Sequence, residues 1–110
     1  MKKEQADRYN ENKLSWHNFP MFLLRPLIKV SAYGAKKYST FNYLKGAPIS
    51  QYMDCMKRHM DDFEDTTMDD LDPGSRVNHL AHVAWNALVA IHVLEKHGDV
   101  FDDRYKEDDE

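Results

Sequence analysis

The chain has one cysteine, Cys55, in 110 residues, so no internal disulfide framework can form and a reducing compartment is expected. It has no run of about 18 apolar residues, which excludes a membrane-spanning helix. Its N-terminus, Met-Lys-Lys-Glu-Gln-Ala-Asp-Arg, lacks the apolar segment of a signal peptide. A cytoplasmic protein with no membrane partner is the resulting expectation. Positive charge is in short supply as well. A formal net charge of −4 argues against a general nucleic-acid binder, and no nucleic-acid partner is expected. No stretch alternates apolar and polar residues as a half-buried strand would, and no internal repeat is visible. An all-α domain remains.

Helix signals divide the chain. Residues 1–18 form a polar arm, with Trp16 and Phe19 positioned to anchor it. Residues 19–98 form the helical domain, and 99–110 an acidic tail whose composition predicts disorder. Pro20 and Pro26 favour helix starts over interiors, which places a first helix at about Pro26–Tyr38. Ser39–Ile49 reads as a loop. A second helix is expected from a Ser50 cap to about Thr66, with Tyr52, Cys55, Met56, His59 and Phe63 on its apolar stripe. A third is expected from about Ser75 to His97, capped by Asp72 and stopped at Gly98. This last helix is apolar on nearly every side, which is the pattern of a buried helix. Three helices cover such a member poorly, so a homodimer is expected to complete the bundle.

The polar exceptions on the third helix carry the chemistry. His79, His82 and Asn86 fall at i, i+3 and i+7, on one row. Antiparallel packing would bring His59 beside them, with the acids Asp69 and Asp72 at the mouth of the helix pair. Buried imidazoles need partners. Histidine and carboxylate donors together suit Mn, Fe, Co or Zn, and carboxylates with water alone suit Mg. The expected metal set is therefore His59, Asp69, Asp72, His79 and His82, bound to a divalent ion. A core hydrogen-bond network of the same histidines is the competing reading. Residues 61–72 hold seven acids, and Asp62 lies near the inward stripe; the others read as a solvated face. Lys36, Lys37, Tyr38 and Asn42 interleave cations with an aromatic and an amide, a pattern that can bind phosphate and stack a base. The same lysines also suit an ordinary helix C-terminus.

Taken together, the motifs resemble a known family. They run Arg8-Tyr9-Asn10, Lys13 and Trp16; then Tyr33-Gly34-Ala35-Lys36-Lys37-Tyr38 and Asn42-Tyr43-Leu44-Lys45-Gly46; then Tyr52 and Arg58-His59. Asp69, Asp72-Pro73-Gly74-Ser75 and His79-Leu80-Ala81-His82-Val83-Ala84-Trp85-Asn86 complete the order. This resembles the phage-encoded dATP/dGTP diphosphohydrolase N-terminal domain, found alone or ahead of a MazG-like pyrophosphohydrolase. The chain departs from it at Met68-Asp69, where the family usually has Gly-Glu, and at Ser75-Arg76, where it often has Ser-Gly.

The resemblance implies metal-dependent hydrolysis of purine deoxynucleoside triphosphates in a phage-infected host cell. It implies catalytic roles for His59, Asp72, His79 and His82. It assigns Lys36, Lys37, Tyr38, Asn42, Arg58 and Asn86 to the purine nucleotide, with Trp85 a further candidate near the base. The chain has no His-Asp dipeptide of the HD phosphohydrolases and no helical Glu-x-x-Glu pair of typical MazG enzymes. A non-catalytic accessory protein that binds a nucleotide or a host protein is the rival reading.

Overall fold

The computed structural model describes residues 2–107. Three helices carry the fold: α1 Arg25–Lys37, α2 Ile49–Asp65 and α3 His79–Phe101. Single 3₁₀ turns at Met21–Leu24 and Asn42–Lys45 precede α1 and α2. No strand occurs among the described residues, only an isolated antiparallel bridge between Asp69 and Asn78. The all-α expectation holds, and none of these helices is long and apolar enough to cross a membrane.

Proline sets two of the helix starts. Pro26 lies in the first turn of α1, where its missing N–H is not needed. Pro48 immediately precedes α2. The expected Ser50 cap is not formed: Ser50 lies inside the first turn of α2 and donates to a distant acceptor. Its backbone N–H and hydroxyl both reach the Asp103 carboxylate, at 2.9 and 2.6 Å. A carboxylate over the free N–H groups of a helix start satisfies donors that lack helical partners. The chain past α3 is thus fastened to the start of α2. The predicted disorder of the acidic tail does not extend to Asp103, and residues 108–110 lie outside the described residues.

The same clip fixes the helix directions. Asp103, beyond the end of α3, meets the beginning of α2, while His59 late in α2 meets His79 at the start of α3. The two helices are antiparallel, as expected. Ile49, Val89, Ala90 and Val93 form the buried core between them, and Tyr43, Tyr52, Trp85, Leu94 and Phe101 pack around it. Val93 has no exposed surface.

The segment before α3 departs from expectation. The helix begins at His79, not Ser75, and Asn78 caps it by accepting the Leu80 N–H at 2.8 Å. The Asp72-Pro73 start signal is overridden because residues 69–78 turn back on themselves. Asp70 N–H donates to Val77 O, and His79 N–H donates to Met68 O, each at 2.9 Å. Arg76 takes a left-handed φ of 64°, which no helix interior accommodates. The peptide between Asp72 and Pro73 is cis.

At its other end α3 passes the expected stop. His97 leaves helical geometry (φ −134°, ψ 19°), but the chain continues through Gly98 to Phe101. One further expectation is corrected: Trp16 does not anchor the arm, since it is 72% exposed. As expected of three helices around so apolar a member, α3 is not covered on all sides, and Leu80, Leu88 and Ile91 form an exposed apolar stripe.

Candidate functional site: a histidine–aspartate cluster between a basic cleft and an aromatic cavity

The apolar stripe of α2 turns His59 towards α3, and the first turns of α3 present His79 and His82 to it. His79 is only 3% exposed. The Nδ1 atoms of His59 and His79 stand 2.8 Å apart. Neutral imidazole has one donor and one acceptor nitrogen, so one ring donates its proton to the other. The His59 and His82 rings stack, with centroids 4.3 Å apart and planes 8° from parallel.

On its far side His82 meets the turned-back segment. Its Nε2 lies 2.5 Å from the Ser75 hydroxyl. Asp70 Oδ2 accepts from the Ser75 N–H at 2.8 Å and lies 3.0 Å from the Ser75 hydroxyl oxygen. Because a hydroxyl carries one proton, Ser75 can donate to Asp70 while accepting from His82, or donate to His82 instead. The three groups form a chain along which a proton can pass.

Burial decides the charge states. Taken out of water, His82 is pushed down to about 4, and the neighbouring His59 adds to the effect against the pull of Asp70. His59 is lowered by burial and by His79. For Asp70, burial alone would raise the pKa. The hydrogen bonds from Ser75 and the two nearby histidines outweigh it, holding the carboxyl below its usual 3.8. At neutral pH the site is therefore two neutral imidazoles, His59 and His82, beside an ionised carboxylate.

The structure brings together His59, His79 and His82 but not the two acids expected with them. Asp72 lies at the surface in a forked ion pair with Arg76. Asp69 is exposed, with its backbone in the bridge to Asn78. Asp70 takes the place expected for them. It sits between the two in sequence, and only the reversal at Asp72-Pro73-Gly74 turns it back over Ser75. That turn was the available signal for it.

The geometry also bears on a metal. Three imidazoles and a carboxylate are the right donor chemistry for a first-row divalent ion. Among the described residues, however, no three His, Cys, Asp or Glu side chains are arranged to hold one. Two ligands of a tetrahedral ion stand roughly 3.3 Å apart, whereas the 2.8 Å between the His59 and His79 nitrogens is the spacing of a shared proton. As arranged, these residues fit a proton and not an ion.

Two concavities flank α1. One is a basic cleft of about 580 Å³ lined by Lys29, Tyr33, Lys36, Lys37, Ser75 and Arg76. The other, about 420 Å³, is walled by the aromatic rings of Tyr38, Tyr43, Tyr52 and Trp85. Asn42, Gln51 and Asn86 add amides to that wall. Asn86 also donates its Nδ2 to the His82 main-chain carbonyl, one turn back on α3, at 2.8 Å. Ser75 joins the cluster to the cleft. Arg58 belongs to neither concavity: it is exposed and donates to the Cys55 sulfur at 3.1 Å.

No curated protein and no solved structure matches the chain. A family model does match residues 3–104, nearly the whole length, and its description is dATP/dGTP diphosphohydrolase, N-terminal. The chain belongs to the dATP/dGTP diphosphohydrolase N-terminal domain family.

Proposed function

We propose that the protein hydrolyses purine deoxynucleoside triphosphates, with the phosphates held in the basic cleft and the histidine–aspartate cluster managing the proton of the attacking water. One observation carries this reading: Ser75 lines the cleft and at the same time bonds His82 and Asp70. An anion-binding surface and a proton-accepting group thus share a side chain.

Lys36, Lys37 and Arg76 offer charge-assisted hydrogen bonds to phosphate oxygens. A divalent cation carried by the triphosphate itself, and not held by the histidines, would neutralise part of the phosphate charge. His82, neutral in the free protein, is a weak base at about 4. A polyanion in the adjoining cleft raises that value, because nearby negative charge favours the imidazolium. Substrate binding thereby brings the base towards the working pH, where proton transfer is most effective. Water attacks the phosphorus, its proton passes to His82 directly or through Ser75, and phosphate or pyrophosphate leaves. Asp70 stabilises the imidazolium, and the stacked His59 keeps the His82 ring in place.

The test is a triphosphate panel with added Mg, Mn, Zn or Co, read by phosphate and pyrophosphate release, on the wild type and on His82→Gln, Ser75→Ala and Asp70→Asn. The expected result is release from dATP or dGTP that falls at least about a hundredfold in His82→Gln, as loss of a general base does. Binding without release from any deoxynucleoside triphosphate would replace this reading with that of a nucleotide-binding accessory protein. The bond between the His59 and His79 Nδ1 atoms, which engages both with each other, favours that alternative.

A further inference from the structure

We propose that the aromatic cavity between α1, α2 and α3 is a nucleobase site that takes the purine ring, with the Asn86 amide oxygen as the acceptor for its amino group. The proposal rests on the triphosphate reading above for its ligand class, and it is tested without any phosphate chemistry.

Its volume of about 420 Å³ lies within the range of small-molecule sites. Its walls are of the right kind. Tyr43 and Trp85 both line it and meet edge to face, with centroids 4.9 Å apart and planes at 76°, so the two rings present differently oriented planes. Aromatic faces of this kind are the platforms on which bases stack, and the larger purine ring gains more from them than a pyrimidine does.

Asn86 supplies direction. Only its NH₂ can donate to the His82 carbonyl, so that bond fixes which way the amide lies. Its Oδ1, which can only accept, then lies on the other side of the amide, and the second amide hydrogen remains as a donor. Adenine and guanine both carry an exocyclic amine that donates.

Gly34 provides a clean way to close the cavity. It lines the space from within α1, and a Cβ built on it meets nothing within 4 Å. A side chain at Gly34 therefore starts in open space at the cavity wall, and leucine is a better helix residue than glycine, so Gly34→Leu is the variant chosen to obstruct the cavity.

The experiment uses Trp85 fluorescence in a Trp16→Phe background, where Trp85 is the remaining tryptophan. The probes are deoxyadenosine, deoxyguanosine, thymidine, deoxycytidine, purine 2′-deoxyriboside (which lacks the amine) and inorganic triphosphate. Both natural purine nucleosides should quench Trp85 and bind about tenfold or more tightly than either pyrimidine nucleoside. Purine 2′-deoxyriboside should bind about tenfold more weakly than deoxyadenosine. Gly34→Leu should abolish the quenching while its far-UV circular dichroism stays that of the parent. Inorganic triphosphate should leave Trp85 unchanged. Failure of the purine nucleosides to bind, equal binding of all four nucleosides, or undiminished binding to Gly34→Leu would overturn the proposal. Purine binding by a protein that releases no phosphate supports the base site and refutes only the hydrolytic reading.

Discussion

Acidification between pH 7 and 4.5 should destabilise the protein through its buried imidazoles. Above pH 6.5 His82 is neutral in both folded and unfolded chains, and the stability associated with it is fully present. As the pH falls through 6.5 the unfolded chain takes up a proton, while folded His82 refuses it until about 4. The unfolded state then binds more protons, so stability falls with pH. At about 1.4 kcal/mol per pH unit the interval down to 4.5 corresponds to roughly 3 kcal/mol. The His82 side chain keeps 12% of its surface exposed, and solvent screening reduces the expected loss to about 2 kcal/mol. His59, also lowered, adds in the same direction. The carboxylates act elsewhere: Asp70, held below 3.8, contributes stability that is lost only as the pH falls below that value. Urea unfolding followed by circular dichroism at half-unit pH steps measures the slope. In His82→Gln most of it should disappear. A wild-type stability that is flat from pH 7 to 4.5, or an identical slope in His82→Gln, would refute the account of a buried neutral cluster.

Other perturbations test the rest of the architecture. Val93→Ala, at a side chain with no exposed surface, should cost about 2–3 kcal/mol in urea unfolding. Gly46 has a φ of +81°, and an added Cβ would stand 3.0 Å from the Phe101 ring, so Gly46→Ala should cost about 1–2 kcal/mol by the same measurement. Asp103→Ala removes both acceptors of Ser50 and should lower the melting temperature, whereas an unchanged melting curve would show that the clip contributes nothing. Lys36→Ala with Lys37→Ala should weaken inorganic triphosphate binding and flatten its salt dependence, measured by calorimetry at two ionic strengths. We propose that the stripe of Leu80, Leu88 and Ile91 is covered by a second copy of the chain; Leu88→Lys should then shift a dimer to monomer in light scattering, and a monomeric wild type at micromolar concentration rules the dimer out.

Periodicity made the two long helices legible, and with them the meeting of His59, His79 and His82. What it could not supply was the course of residues 66–78. Asp72-Pro73 has the chemistry of a helix start, and no local feature contradicts it. The true cap, Asn78, matters only once the chain has folded back through the Asp69–Asn78 bridge. Asp70 is hidden for the same reason, since its proximity to His82 comes from the turn and not from helical spacing. Asp103 was hidden more deeply: its partner Ser50 lies 53 residues away, and an acid in a charged tail looks the same whether it is free or docked. The apolar girth of α3 identified it as the central helix and as one that three helices cannot cover, and Leu88 and Ile91 are indeed exposed.

The aromatic cavity shares its wall with the core. Tyr43, Tyr52, Trp85 and Val89 pack within or against the buried cluster and also line the cavity. Anything that occupies it adds contacts to the residues on which folding depends, and binding to the folded state alone raises the melting temperature in proportion to RT ln(1 + [L]/Kd). Thermal shift is therefore a ligand screen for this protein that requires no knowledge of its reaction. The converse constrains engineering: a variant stabilised by filling that space would gain rigidity by closing its own binding site.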